Sequence, residues 1–238
     1  MSIPELRVLA IEGIGEVTPG ADIAALIVDA LDVNGSRLEP GDVVVVTQKI
    51  VSKAEGRLVD VDPADPLSHK PVVERESRRI LRRRGELIIS ETEQGFVCAN
   101  AGVDLSNVAL GQAALLPRDS DRSAGRIRAG LVEHYGLEVG VVVSDTFGRP
   151  WRRGVTDVAI GCAGVLAILD LRGTSDSLGR ELMVTEVAVV DEIAAAADLV
   201  MGKARGVPVA IVRGVSDALG DGNVVRDLVR HPDEDLFR

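Results

Sequence analysis

Two lysines in a short polar segment are the first residues of this sequence with the chemistry of a functional site. The segment TQKIVSKAEGR, at 47–57, follows an apolar run and places Lys49 and Lys53 four residues apart. One helical turn would put both ammonium groups on the same side of the chain. An ammonium group contacts phosphate oxygens as a compact point charge, so the segment predicts a phosphate-binding surface.

A second segment, NAGVDLSNV at 100–108, offers oxygen ligands in a loop behind a predicted strand. It contains Asp104, Ser106 and Asn107. Carboxylate and amide oxygens suit hard cations such as Mg²⁺, and an amide can also bind a base or a ribose. The loop therefore predicts either a cation site or a nucleotide contact.

The third segment, VVVSDTFGRPWRRGVT at 141–156, leads from an apolar run into a polar turn. We expect the strand to end at Asp145 and Thr146, where short side chains can hold Mg²⁺ or Mn²⁺ beside phosphate oxygens. Gly148 and Pro150 are predicted to form the turn. The cationic residues expected to bind an anionic substrate there are Arg149, Arg152 and Arg153.

The chain as a whole is acidic, with a formal net charge of −10. This charge disfavours sequence-independent binding to nucleic acid or anionic lipid, which requires a basic face. The first residues lack a basic start and a continuous apolar run, and no apolar stretch is long enough to span a bilayer. We therefore expect a cytoplasmic protein without nucleic-acid or membrane partners.

Apolar periodicity predicts strands and helices in an irregular order, which favours an α+β fold. Predicted strands lie at 6–11, 43–46, 87–89, 96–98, 141–143 and 207–213, and predicted helices begin at 23 and after 121 and end near 34 and 136. There is no GxxxxGK[ST] motif, and EGIGEV at 12–17 lacks the GxGxxG pattern. The sequence thus predicts neither a P-loop nor a Rossmann fold.

The basic segment at 74–84 and the two cysteines are interpreted as structural features without a role in a functional site. The basic segment ERESRRILRRR, at 74–84, is predicted to be an exposed helix whose positive charges favour its own C-terminal end. Cys98 and Cys162 have no CxxC or zinc-type spacing, which predicts two buried thiols and no disulfide.

The segments discussed above resemble, in order, those of the coenzyme F420-0:L-glutamate ligase family. The motifs that carry the resemblance are VSKAEGR, NAGVDLSNV, SDTFGR with WRRG, GRELMVTEVAVVDEIAAAADLVMGK and VPVAIVRG. The resemblance covers essentially the whole chain and implies that 1–238 form one ligase domain. It also implies two closely associated lobes, with a boundary that the sequence does not reveal, in an intertwined homodimer.

The resemblance implies a GTP-dependent ligase that joins L-glutamate to the phospholactyl carboxylate of F420-0 and then adds further γ-linked glutamates. GTP is the implied co-substrate and leaves as GDP and phosphate, and Mg²⁺ or Mn²⁺, with K⁺ as a further ion, are the implied cofactors. A carboxylate is a poor electrophile until its oxygen becomes a leaving group, so phosphoryl transfer would create an acyl phosphate that glutamate attacks.

The family's functional positions can be carried over residue by residue. The implied nucleotide contacts are Gly13, Ile14, Gly15, Glu16, Gln48, Lys53, Asn107, Met201, Gly202, Lys203 and Ala204. The implied metal ligands are Asp104, Asp145 and Thr146, and Lys53 is the implied catalytic residue.

The sequence departs from the pattern of the family at three places. Relatives commonly have Leu-Pro in place of Ile14-Gly15 and Ser in place of Gln48. Archaeal members carry an acidic metal ligand in the loop that here contains Lys203, and a lysine cannot replace an oxygen ligand. Either a second metal has fewer protein ligands here, or Lys203 contacts a phosphate directly.

Two other classes of function stay open at this point. A metal-dependent phosphohydrolase would use the same aspartates without an amine acceptor, and a GTP-binding regulator would bind nucleotide without turnover.

The role of Trp151 also stays open: its ring would either stack on the deazaflavin or pack against the turn.

Overall fold

The computed structural model describes residues 4–236 and has the mixed α+β architecture that the sequence predicts. The strands are β1 (Arg7–Ile11), β2 (Val43–Thr47), β3 (Leu58–Asp60), β4 (Ser77–Arg84), β5 (Leu87–Thr92), β6 (Val97–Ala99), β7 (Gln112–Ala114), β8 (Gly140–Arg149), β9 (Arg152–Ala163), β10 (Leu169–Asp170), β11 (Glu186–Val187) and β12 (Val209–Arg213). The helices are α1 (Ile23–Val33), α2 (Gln48–Ala54), α3 (Lys70–Glu76), α4 (Ser120–Tyr135), α5 (Val189–Met201) and α6 (Val224–Asp227).

A five-stranded mixed sheet forms the centre of the molecule, with the order β1-β12-β2-β8-β9. Strands β2 and β8 pair in parallel, and the other neighbouring strands of this sheet pair antiparallel. The valines of 43–46 and 141–143 are fully buried, as expected for strands that are covered on both faces. Helices α4 and α5 pack on this sheet, and α1 packs on α4.

The helix boundaries follow local capping chemistry. The side chain of Asp119 accepts a hydrogen bond from the backbone N–H of Arg122 at 2.9 Å, which satisfies a free donor in the first turn of α4. Gly136 ends this helix in the left-handed conformation that glycine adopts without strain. Both ends agree with the prediction to within two residues.

A smaller hydrophobic cluster lies outside the main core. It contains Val72 and Val73 of α3 together with Ile88 of β5, and residues from β7 and the 101–103 segment complete it. The β3–β7 pair and the β4-β5-β6 sheet surround this cluster. The predicted arrangement of two lobes in an intertwined homodimer, and the predicted absence of P-loop and Rossmann folds, stay predictions.

The helix predicted over 74–84 is wrong for most of its length. Helix α3 ends at Glu76, and β4 continues from Ser77 as an outer strand paired with β5. Arg79 contacts Glu91 across the pair at 2.9 Å, so cross-strand pairing outweighs the helical preference of the arginines. Charged residues on an outer strand also discourage pairing with other chains.

The predicted strand end at Asp145 is also wrong. Strand β8 continues through Thr146 and Gly148 to Arg149, because β9 supplies backbone partners over this whole length. The hairpin turn lies at Pro150 and Trp151 instead.

The remaining structural predictions concern thiols and membrane spans. Both cysteines are free and buried, as predicted. Within residues 4–236, no helix has the length and apolarity needed to cross a bilayer.

Candidate active site

The parallel pairing of β2 and β8 brings the first groups of the site together. Thr47 at the end of β2 lies opposite Ser144 of β8. The residues that follow, Lys49 on α2 and Asp145 on β8, therefore leave the same edge of the parallel pair. In open sheets, the carboxyl ends of neighbouring parallel strands are a frequent position for ligand sites.

Both lysines of α2 form ion pairs with carboxylates. The Lys53 side chain is only 9% exposed, and its Nζ donates to Oε1 of Glu16 at 2.6 Å. Glu16 comes from the loop after β1 and is 76% exposed. The predicted catalytic lysine is thus buried at its stem and paired with a carboxylate that can move away into solvent.

Lys49 connects α2 to the predicted cation loop. Its Nζ donates to Oδ2 of Asp104 and to Oγ of Ser106, both at 2.8 Å. Backbone hydrogen bonds between Asp104 and Ala114, at 3.0 and 2.8 Å, fix the start of the loop. Burial alone would raise the pKa of Asp104, but hydrogen bonds from Lys49 and Ser106 outweigh it, so its pKa is lowered and the group is a carboxylate at neutral pH.

Asp145 has the opposite behaviour. Although its side chain keeps some exposure, desolvation by the surrounding protein raises its pKa to about 7. The negative charges of Asp104 and Asp157 add to this increase, whereas Lys49 opposes it. The mutual effect shows that Asp104 and Asp145, the two predicted acidic metal ligands, are within electrostatic reach of each other.

The hydroxyl of Thr146 is oriented by a residue that the sequence did not single out. Its Oγ1 donates to Oδ1 of Asp157 at 2.6 Å, and the buried Ser144 Oγ donates to Oδ2 of the same carboxylate at 2.9 Å. Asp157 is only 3% exposed and lies opposite Thr146 in the β8–β9 register. One signal in the sequence could have identified Asp157, because it is an acidic residue inside the otherwise apolar strand segment VTDVAIG.

These donors fit a hard divalent cation chemically. Asp104 and Asp145 supply carboxylate oxygens, and Thr146 gives its proton to Asp157, which leaves its oxygen lone pairs for a cation. No group of three or more His, Cys, Asp or Glu is arranged as a metal cluster within 4–236. Any cation at this position would therefore need water or substrate oxygens to complete its coordination.

An aromatic contact holds this part of β8 against the neighbouring hairpin. Phe147 packs edge to face on Phe96, with ring centroids 6.3 Å apart. The strand that carries Asp145 and Thr146 is thereby attached to the turn between β5 and β6.

Cys98 of that hairpin is buried near Asp145, and burial raises the pKa of its thiol to about 12. This thiol is therefore not a nucleophile.

One predicted nucleotide contact, Gly13, lines a cleft between the loop after β1 and the loop after α5. Gly13 lines a cleft of about 610 Å³ together with Arg205 and Gly206, which directly follow the predicted contacts Gly202, Lys203 and Ala204. Lys203 and Ala204 are exposed, whereas Met201 is buried at the end of α5. Ile14 packs partly on the main core.

Gln48 and Asn107 lie in contrasting surroundings. Gln48 is 1% exposed, accepts a hydrogen bond from Ser52 at 2.8 Å, and leaves its Nε2 without a hydrogen-bond partner among residues 4–236. Asn107 is exposed and has a left-handed backbone with φ of 55°. Their predicted nucleotide contacts stay predictions.

The predicted substrate-binding arginines lie around the β8–β9 turn. Arg149, Arg152 and Arg153 are all exposed, and Trp151 is 82% exposed with φ of 56°. No contact joins these arginines to Asp104 or Asp145 in the described part of the chain. The three positive charges therefore lie at the turn end of the β8–β9 hairpin, the same hairpin that carries Asp145.

Taken together, the fold and the site define an α+β protein with paired lysines, carboxylates and a hydroxyl at the end of two parallel strands. A family model described as F420-0:Gamma-glutamyl ligase matches residues 13–214. This chain belongs to the F420-0:Gamma-glutamyl ligase family.

Individual relatives agree with this assignment. The chain is 44% identical to the Coenzyme F420:L-glutamate ligase of Methanothermobacter thermautotrophicus, with 98% of this chain and 99% of that protein covered. It is 42% identical to the protein of the same name from Methanopyrus kandleri, with 99% of each covered. Identity is also 42% to that of Methanocaldococcus jannaschii, with 84% of this chain and 86% of that protein covered.

Proposed function

We propose that this protein is a GTP-dependent ligase that forms an amide bond between L-glutamate and the phospholactyl carboxylate of F420-0. Further γ-linked glutamates are then added to the product. The observation that carries the proposal is the near full-length similarity to proteins named Coenzyme F420:L-glutamate ligase. The grouping of Lys49, Asp104 and Asp145 supplies charges of the kind that phosphoryl transfer requires.

The first chemical step is transfer of the γ-phosphoryl group of GTP to the substrate carboxylate. This forms a P–O bond to the carboxylate oxygen, breaks the bond to GDP and gives an acyl phosphate. Lys53 stabilises the transferring group through its ammonium charge. Lys53 pairs with Glu16, so a phosphate oxygen that contacts the ammonium group must replace the Glu16 carboxylate, which is 76% exposed and can turn into solvent.

In the second step, the amino group of L-glutamate attacks the acyl carbon and inorganic phosphate leaves. The attacking amine loses a proton in this step, which passes to the released phosphate or to water. Thr146 and Asp157 keep the neighbouring oxygen lone pairs in a fixed direction. A Mg²⁺ or Mn²⁺ ion bound by Asp104, Asp145 and Thr146 would supply charge neutralisation for the phosphoryl group.

The test is a reaction of purified protein with F420-0, L-glutamate, GTP and Mg²⁺. We expect mass spectrometry to find the deazaflavin with one or more added glutamates, and one phosphate released for each amide bond. Reactions that lack F420-0 or glutamate should release little phosphate. The distribution of product masses gives the number of glutamates added.

Two other results would overturn the proposal. Phosphate release at equal rates with and without the acceptors would identify a phosphohydrolase. Nucleotide binding without turnover in every mixture would identify a regulator.

The proposal also includes a homodimer in the cytoplasm, and sedimentation of the purified protein at micromolar concentration tests the dimer.

A further inference from the structure

A further cleft, here named the α4 cleft, lies between the C-terminal end of α2 and the N-terminal ends of α1 and α4. Its volume of about 610 Å³ is within the range of small-molecule sites. None of the residues that line it is among the predicted nucleotide, metal or substrate-binding positions. The buried apolar side chains that line it are Ile23, Val51 and Ile127. The α4 cleft is therefore a partly apolar site without an assigned ligand.

A row of arginines borders the α4 cleft. Arg118, Arg122 and Arg126 follow one another at intervals of four residues at the start of α4, and all three are exposed. Side chains four residues apart on a helix have Cβ atoms about 6 Å apart and lie on the same face. The row therefore concentrates positive charge on one wall of the cleft, in a chain whose formal net charge is −10.

The carboxylates that line the α4 cleft are all used within the protein. Asp22 and Asp119 accept hydrogen bonds from backbone N–H groups in the first turns of α1 and α4, at 3.2 and 2.9 Å. Glu55 accepts from the hydroxyl of Ser123 and from Nη2 of Arg126, the latter at 2.5 Å. These contacts fix the acidic groups and leave most of the arginine donors available.

The guanidinium groups of the row have free hydrogen-bond donors. Those of Arg118 and Arg122 have no hydrogen-bond or ion-pair partner among residues 4–236. Arg126 uses only its Nη2, so its remaining N–H groups are also available. The backbone oxygen of Arg118 accepts from Nε2 of Gln94 at 3.2 Å, which holds the first arginine in place. Guanidinium groups of this kind bind carboxylates in a bidentate manner.

The α4 cleft lies around the end of α2 from the predicted catalytic lysine. Val51 lines the cleft and is two residues from Lys53, so the two side chains are about 200° apart around the helix. The loop after β1 joins the two places, because Glu16 pairs with Lys53 and the N–H of Gly20 donates to the backbone oxygen of Ala54 at 2.8 Å. A helix with its side chains is about 10 Å across, so a ligand must extend about this far to reach both.

We propose that the α4 cleft binds the γ-glutamyl tail of the acceptor, with the α-carboxylates of the tail on the arginine row. This inference rests on the proposed function, in which further γ-linked glutamates are added. Each γ-linked unit carries a free α-carboxylate and two methylene groups, and its five backbone bonds span about 6 Å. The carboxylates thus match the spacing of the arginines, and the methylene groups match the apolar surface.

The length of the tail decides when it reaches the cleft. A new glutamate joins the terminal carboxylate of the tail, so that carboxylate lies beside Lys53 during the reaction. An earlier unit lies about 6 Å farther back for each glutamate, and about two units cover the thickness of α2. F420-0 has no glutamate and cannot make these contacts, whereas an acceptor with two glutamates can.

Calorimetric titration of the protein with γ-linked tetraglutamate, without nucleotide, tests the site directly. The wild type should bind this oligomer. Arg118→Gln and Arg122→Gln should each weaken the affinity by about tenfold, as for loss of one hydrogen bond between charged groups. Arg84→Gln is the matched control, since Arg84 is exposed at the end of β4 and does not line the cleft. This variant should bind like the wild type.

Three results of the titration would overturn the inference. One is a wild type that does not bind tetraglutamate, and another is wild-type affinity in both arginine variants. The third is an equal affinity for inorganic phosphate, which would show that the cleft attracts any anion.

Steady-state kinetics with two acceptors connects the cleft to the reaction. The ratio of kcat/KM for the doubly glutamylated acceptor to kcat/KM for F420-0 should fall about tenfold in Arg122→Gln. An equal loss with both acceptors would refute the assignment to the tail, as would a wild type that does not extend the doubly glutamylated acceptor. A wild type that adds glutamate to neither acceptor would refute the proposed function, whereas the tetraglutamate titration would still decide whether the cleft binds a γ-glutamyl chain.

Discussion

Asp145 is predicted to make the protein less stable as the pH rises, and its replacement by Asn should remove this effect. The cause is the desolvation that raises the pKa of the folded carboxyl group from 3.8 to about 7. Below pH 4 the group is protonated in both folded and unfolded chains, so it has no influence. Between these values the folded state holds a proton that the unfolded state has released, so the free energy of unfolding falls with rising pH.

The size of the effect follows from the shift in pKa. Each unit corresponds to about 1.4 kcal/mol, so a shift of about three units sets a ceiling of about 4 kcal/mol above pH 7. The Asp145→Asn variant has no charge to desolvate at any pH. Its advantage over the wild type should therefore grow by up to about 1.4 kcal/mol per pH unit between pH 4 and pH 7, and then stay constant.

Urea unfolding at several pH values, in the presence of a chelator, measures this difference. We expect the two proteins to be nearly equal at pH 4 and the Asp145→Asn variant to be more stable by about 2–4 kcal/mol at pH 8.5. Asp29→Asn, which removes an exposed carboxylate from α1, is the control and should show no comparable pH dependence.

Divalent metal provides a second comparison. Added Mg²⁺ should stabilise the wild type at pH 8.5 more than the variant, because only the wild type offers the second carboxylate. A stability difference that does not change with pH, or a variant that is less stable than the wild type at pH 8.5, would refute the desolvation of Asp145 as described.

Three other substitutions test the site and the fold. Lys53→Ala should lower kcat by about 10²-fold with a smaller effect on nucleotide affinity, and Lys53→Arg should restore part of it, as measured by steady-state kinetics over a range of GTP concentrations. Asp42→Ala should cost about 3–5 kcal/mol in urea unfolding, since Asp42 is fully buried and both its oxygens accept from Arg213 at 2.8 Å. Gly161→Ala should destabilise the protein by more than about 2 kcal/mol in urea unfolding, because the new Cβ would lie 2.2 Å from the backbone at the start of α4. Gly148→Ala is its control: the new Cβ meets no atom within 4 Å, so the variant should be nearly as stable as the wild type.

Local patterns were sufficient to predict several elements. The helix over 23–33, the buried strand after Pro40 and the hairpin flanking ETEQG follow from apolar spacing and turn residues. The position of Lys49 and Lys53 on one helix was also predictable, because their separation of four residues fits a helical turn. In each case the information lies within a few residues of the chain.

Features set by pairing between distant segments were not predictable in the same way. The basic residues of β4 have good helical preference, and only the partner strand β5 makes them extended. Asp157 is next to Thr146 because of the β8–β9 register, which the sequence around either residue does not specify. The carboxylate partners of the two lysines likewise come from distant loops: Glu16 lies 37 residues from Lys53 in the chain, and Asp104 lies farther still from Lys49.

The insertion of β12 between β1 and β2 constrains the order in which the protein is assembled. Within residues 4–236, strand β1 has β12 as its one neighbour in the central sheet, and their paired residues run from Arg7 with Arg213 to Ile11 with Val209. Strand β1 therefore leaves the ribosome well before β12 and must wait for it before the two strands can pair. Long-range pairing of this kind slows folding, and the unpaired edge of the valine-rich β2 is exposed to other chains during that delay.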